Sequence, residues 1–218
     1  MNLIYRYIAT IFAITLTLST ANSSTDSRGV VADSHSLMKY QDISTDVHCG
    51  HRHAPRSADD IDIIVIHSCH YANVDSFSTD GCIKQFRKHR VAPHYLISRD
   101  GTVIKMVDES DIALHAGRST LPGTQRTQLN KSSIGIEIIN TRHTGPTYLQ
   151  YHALRQLVKD ICSRYAIRYV VRHSDIAPGR KDDPWCFNWQ RFQYDVHQSM
   201  AYLQFPTSEP TLLAHHKH

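Results

Sequence analysis

The sequence predicts an α/β fold: a central mixed β-sheet flanked by helices. Two observations carry that expectation. Short apolar runs rich in Ile and Val alternate with segments whose apolar residues recur at helical spacing. One pair of runs is separated by Asp100-Gly101, which marks a hairpin and so an antiparallel strand pair. The 218 residues suffice for one domain with short flanking segments. A hydrophobic content of 41% with 20% charged residues excludes collagen, coiled coil and wholesale disorder.

The N-terminus reads as an export signal over residues 1–22. Arg6 supplies a positive start, YIATIFAITLTLSTA forms the apolar stretch, and small residues from Ser19 to Ser23 offer cleavage sites. The apolar stretch is shorter than the ~20 residues a membrane span needs, and no stable span is expected once the signal is removed. Residues 23–45 are rich in Ser, Thr and Asp and read as a flexible linker. The ordered domain is placed at residues 46–205 and a C-terminal tail at 206–218.

Within the domain, IDIIVIH (61–67) suits a buried central strand because it is apolar without alternation. Residues 80–90 suit a short helix. HYLIS (94–98) and TVIKMVD (102–108) form the hairpin, and IALHA (112–116) reads as a short strand. Residues 118–131, with Pro122 and Gly123, read as a loop. SIGIEIIN (133–140) is the next strand. Its Ile134, Ile136 and Ile138 share one face, and Gly135 and Glu137 share the other. Leu154, Leu157, Val158 and Ile161 define a helix over 147–165. IRYVVRH (167–173) reads as a strand ending in His173. Residues 174–188 read as a loop, and 189–203 as a last helix.

Functional side chains collect where central strands end. His67 and His173 both stand at such ends, and Asp183 follows in a Pro/Gly-containing loop. Two imidazoles and a carboxylate form a common catalytic zinc set, although a chain with 16 His offers many such triples. Taken singly, Glu137 reads as a solvated strand residue and Arg180-Lys181 as an exposed basic pair. Asp183-Pro184 reads as a turn start and His173 as a core histidine. Asp175 is given a structural role and Tyr95 a core one, and Arg99 is read as a turn residue. HCGHRH (48–53) is too tightly spaced for a structural zinc finger.

Five cysteines, at 49, 69, 82, 162 and 186, leave at least one without an intrachain partner. Cys69 and Cys82 are the first pair to test, because both flank one loop. The chain is mildly basic, at +4, without a dense basic patch interleaved with aromatics. Nucleic acid is therefore not an expected partner.

IVIHSC, ALHAG, SIGIEI and RHSDIAPGRKDDP occur in this order. Together they resemble the type 2 N-acetylmuramoyl-L-alanine amidases, a family that includes phage lysozyme-like amidases and peptidoglycan recognition proteins. HSDIAPGRKDDP looks especially like the AmpD and AmiD group, and the signal segment points to the exported, AmiD-like branch. The resemblance implies a Zn2+ site at the strand ends, with His67, His173 and Asp183 as ligands. It implies Glu137 as proton carrier, Lys181 as stabiliser of the oxyanion and His115 as a substrate contact. The implied substrate is peptidoglycan or a muropeptide, met in the periplasm or outside the cell; the oligomeric state is left open. Two departures lie beside the ligands: Arg172, where a small residue is usual, and Trp185-Cys186-Phe187, where Gly-Pro is more usual. Rival readings are a non-catalytic binder of cell-wall fragments and a zinc peptidase acting within the stem peptide.

Overall fold

The computed structural model describes residues 38–44, 51–52 and 56–208. The expected signal, most of the expected linker and Cys49 lie outside the described residues. So do most of HCGHRH and the tail beyond residue 208. In chain order the strands are β1 (Tyr40–Asp42), β2 (His51–Arg52), β3 (Ile63–Cys69), β4 (Tyr95–Ile97), β5 (Val103–Lys105), β6 (Ile112–Ala113), β7 (Ser133–Ile139) and β8 (Tyr169–Arg172). The helices are α1 (Thr79–His89), α2 (Tyr148–Arg164), α3 (His173–Ile176) and α4 (Trp189–His197).

Six strands form one mixed sheet in the order β1-β5-β4-β7-β3-β8. Only β4 and β5 pair antiparallel, as the Asp100-Gly101 turn between them requires. β2 and β6 make a separate antiparallel pair, so the short strand at 112–116 shrinks to two residues and leaves the main sheet. In β3 and β7 the residues of one parity, Ile64, Ile66, Ile134, Ile136 and Ile138, pack under Leu154, Leu157, Val158 and Ile161 of α2 and Phe192 and Val196 of α4. Each such fully buried side chain contributes roughly 1.5–3 kcal/mol. Ile63, Val65 and Val171 face the opposite side with Leu121, Leu129 and Ile176. Both faces of β3 are thus covered, which is why its sequence is apolar without alternation.

α2 starts where Thr147 caps it: the Thr147 side chain accepts from Gln150 N, and the Gln150 side chain closes a capping box. Arg99 does more than turn the chain. Its Nη1 donates to Ile139 O at 3.3 Å, Gly145 O at 2.9 Å and Gln150 Oε1 at 3.2 Å, tying the end of β7 to the start of α2. Tyr95 is a core residue, and its hydroxyl donates to Glu109 at 2.8 Å.

Other expected elements change as well. Tyr40–Asp42, read as linker, adds a parallel edge strand to β5. Lys39 O accepts from Val103 N at 2.8 Å and satisfies an otherwise open edge. The strand expected over 167–173 stops at Arg172, and His173 opens the short helix α3 inside what reads as a loop. Asp175 causes this break, because its carboxylate accepts from Arg172 N at 3.0 Å and from the Arg172 guanidinium. The last helix stops at His197 instead of running to 203. The chain then turns so that Gln204 pairs with the β8 edge, donating to Arg168 O and accepting from Val170 N, both at 2.9 Å. Among the described residues, no helix is long and apolar enough to cross a membrane.

Candidate active site

Parallel pairing of β3 with β7 sets His67 directly opposite Glu137. Both project on the face away from α2, because Ile66, Ile136 and Ile138 claim the other. β8 runs parallel on the far side of β3 and delivers His173 one residue past its end. The loop after α3 is held over the strand ends by backbone contacts. Ser174 N donates to Asp183 O at 2.9 Å, Trp185 N to Ser68 Oγ at 3.0 Å, and Asn140 Nδ2 to Trp185 O at 2.7 Å. Ser68 and Asn140 thus hold the loop that carries Asp183, and the motif reading passes over both. Their sequence signal is a small polar residue just after His67 and another just after β7.

These supports bring His67, His173 and Asp183 together, all three buried. His67 Nδ1 lies 2.9 Å from His173 Nδ1. Asp183 Oδ2 lies 3.1 Å from His173 Nδ1 and 3.6 Å from His67 Nδ1. Four-coordinate zinc with ligands at ~2.0–2.2 Å places ligand atoms roughly 3.3–3.6 Å apart; the three observed separations bracket that spacing within a few tenths of an ångström, and the donor set is one that could hold a metal ion. The protonation chemistry agrees. Burial pushes the His67 imidazole down to about 4, so it is neutral at pH 7. Burial alone pushes the Asp183 carboxyl up, but the hydrogen bond with His173 and the neighbouring His67 imidazole hold it below the usual carboxylate range.

A cleft of about 330 Å³ opens over this cluster and is lined by Glu137, Lys181, His115 and Trp185 together with His173 and Asp183. All six expected site residues therefore meet in one place. Glu137 Oε2 is buried and has no hydrogen-bond partner among the described residues. Burial, then the charge on Asp183, raises the Glu137 carboxyl well above its usual value, while Lys181 acts in the opposite sense. Cys69 is within hydrogen-bonding reach of both Glu137 and Cys82. Both cysteines are free thiols, so the pair singled out from the sequence is adjacent but unlinked.

Residues 57–186 match the family described as N-acetylmuramoyl-L-alanine amidase, Amidase_2. The chain belongs to the N-acetylmuramoyl-L-alanine amidase family. The chain is 37% identical to the N-acetylmuramoyl-L-alanine amidase AmiD of Escherichia coli K12 over 150 residues, covering 60% of this chain and 51% of AmiD. It is 44% identical to the 1,6-anhydro-N-acetylmuramyl-L-alanine amidase AmpD of Enterobacter cloacae over 100 residues, covering 44% and 52%. The chain thus spans about half the length of these relatives. Its fold is similar to that of Escherichia coli AmiD in complex with anhydro-N-acetylmuramic acid-L-Ala-D-gamma-Glu-L-Lys. That structure aligns with a TM-score of 0.54 at 33% identity, covering 66% of this chain and 59% of AmiD.

The amidase domain also accounts for the two departures from the family pattern. The Arg172 side chain turns away from the ligands, paired with Asp175 and held by Thr207. Trp185 instead forms a wall of the cleft. Arg142 lies over its ring at 4.7 Å, and its Nε1 donates to Asp182 at 2.9 Å.

Proposed function

We propose that the chain is an exported zinc amidase of cell-wall turnover or recycling. It hydrolyses the amide between the lactyl group of N-acetylmuramic acid, or its anhydro form, and the L-alanine of the stem peptide. The single observation that carries this reading is the convergence of the His67, His173 and Asp183 donor atoms beside a buried, unpartnered Glu137 oxygen. The muropeptide bound to AmiD, a relative of the same family, supports the substrate class. The export signal at 1–22 and the domain limits at 46–205 belong to the same proposal.

His67, His173 and Asp183 hold the metal, and two imidazoles with a carboxylate are a donor set that suits zinc. When bound, zinc supplies Lewis acidity at the reacting carbonyl and acidifies water towards neutral pH. Glu137 Oε2 accepts a proton from the attacking water and returns it to the leaving amine of L-alanine, a shuttle that its raised proton affinity favours. Lys181, exposed at the cleft rim, places an ammonium where negative charge develops on the carbonyl oxygen. His115 touches substrate through its ring surface, since both its nitrogens are engaged within the protein.

Mass analysis of products from defined muropeptides, with and without a chelator, tests the proposal. Free muramic-type sugar plus an intact peptide, formed only without chelator, is the expected result. A shortened peptide still on the sugar replaces the amidase by a stem-peptide peptidase. Binding without cleavage by the zinc-loaded chain replaces it by a non-catalytic binder.

A further inference from the structure

His115 links the metal-cluster residue His67 to Ser133, which lies outside that cluster. Its Nδ1 lies 3.0 Å from His67 Nε2, and its Nε2 lies 3.2 Å from Ser133 Oγ. Ser133 Oγ in turn lies 2.6 Å from Leu129 O. A carbonyl oxygen only accepts, so the Ser133 hydroxyl spends its single proton on Leu129. Ser133 Oγ then accepts from His115, which puts the His115 proton on Nε2 and leaves a lone pair on Nδ1. That lone pair accepts from His67 Nε2–H. His67 Nδ1, the atom that faces His173 and Asp183, is thereby left as a lone pair. Each step follows from donor and acceptor counts and runs in one direction, from a backbone carbonyl to a metal ligand.

The surroundings are built for this chain of bonds. An added Cβ on Gly135 would sit 2.4 Å from His115 Cγ, so only a bare backbone at that point of β7 admits the ring. Asn130 Oδ1 accepts from the backbone N–H groups of His115 and Ala116 at 3.2 and 2.8 Å and anchors the segment. The His67 and His115 rings meet edge to face at 88°, with centroids 5.1 Å apart.

We propose that Ser133 and His115 form a positioning relay that holds His67 as its Nε2–H tautomer, with Nδ1 presented to the metal. The relay rests on the metal-site reading above, and it makes His115 a positioning residue in addition to a wall of the cleft. Outer partners of metal-bound histidines commonly govern ligand tautomer and metal affinity.

The test measures zinc affinity of the full chain by competition with a chromophoric chelator, alongside long-range 1H–15N spectra of the histidine rings. His115→Leu keeps bulk but removes the acceptor, and is expected to weaken zinc binding by about 10–100-fold. His115→Asn restores an acceptor near the Nδ1 position and is expected to recover most of that loss, which a packing role would not do. Ser133→Ala is expected to weaken binding in the same direction. The metal-free protein should show His67 protonated at Nε2. Unchanged zinc affinity in His115→Leu, or a His67 proton on Nδ1, overturns the relay while leaving the metal site standing. A wild-type chain that binds no zinc overturns the metal-site reading and the relay together.

Discussion

Replacing Gly135 with alanine is the sharpest test of how the site is packed. Gly135 is not among the positive-φ glycines, so alanine suits the backbone, and any cost arises from contact alone. The new Cβ would lie 2.4 Å from Cγ, 2.5 Å from Nδ1 and 2.7 Å from Cδ2 of His115. Ordinary carbon contacts need about 3.5–4.0 Å, so the ring must retreat by roughly 1 Å. That displacement carries His115 Nδ1 out of hydrogen-bonding range of His67 Nε2, now 3.0 Å away. Overpacking costs about 1–3 kcal/mol, and the broken hydrogen bond adds about 0.5–1.5 kcal/mol. For a domain of this size each kcal/mol lowers Tm by about 2–4 °C. Calorimetry of the metal-free protein should therefore place Gly135→Ala some ~3–18 °C below wild type. Zinc affinity should fall in parallel. Combining it with His115→Ala should relieve the clash, so the two changes should couple by more than about 1 kcal/mol. A wild-type Tm with unchanged zinc affinity, or simple additivity, would refute the packing argument.

Glu137→Gln should abolish turnover with zinc retained, and should raise the Tm of the metal-free protein at pH 7. The folded-state value of Glu137 is raised, so its ionisation costs stability as pH rises above the ordinary value of 4.5. The gap between variant and wild type should close below that pH in a series of melts, and a constant gap would exclude ionisation as its cause. Asp62→Asn should act in the opposite sense. Asp62 is buried between Arg126 and Arg168, whose hydrogen bonds overcome the effect of burial and hold its carboxyl below 3.8. Its contribution, screened by the exposure of Arg168 to no more than about 1 kcal/mol, is full at neutral pH and lost as pH falls through the folded value. Melts of the two proteins should therefore converge in acid. Asp183→Ala should lower zinc content on dialysis, and stoichiometric retention would remove it from the ligand set. Trp185→Gly should raise KM more than it lowers kcat on a muropeptide, since Trp185 lines the cleft but offers no donor atom to the metal-binding cluster. Equal losses in kcat and kcat/KM would instead place it at the reacting bond.

Local pattern alone determined several features of this chain. Uninterrupted isoleucines mark β3 as covered on both faces, and period-two alternation in SIGIEI turns Glu137 away from the helix-covered side. The resemblance of four short strings to the amidase family, rather than period or spacing, singled out the residues that the fold gathers. Tertiary structure decided the rest. β1 has no strand-like signal of its own and exists because the β5 edge offers unpaired backbone groups. His173 leaves the strand because an aspartate two residues later captures the backbone of Arg172. The tie between His67 and His115 spans 48 residues, and that between Ser68 N and Asp183 spans 115. Such bonds depend on strand register and loop closure, which appear in space only once the sheet has assembled. Period and spacing record which face a side chain takes; only the packed sheet records which distant atom it meets there.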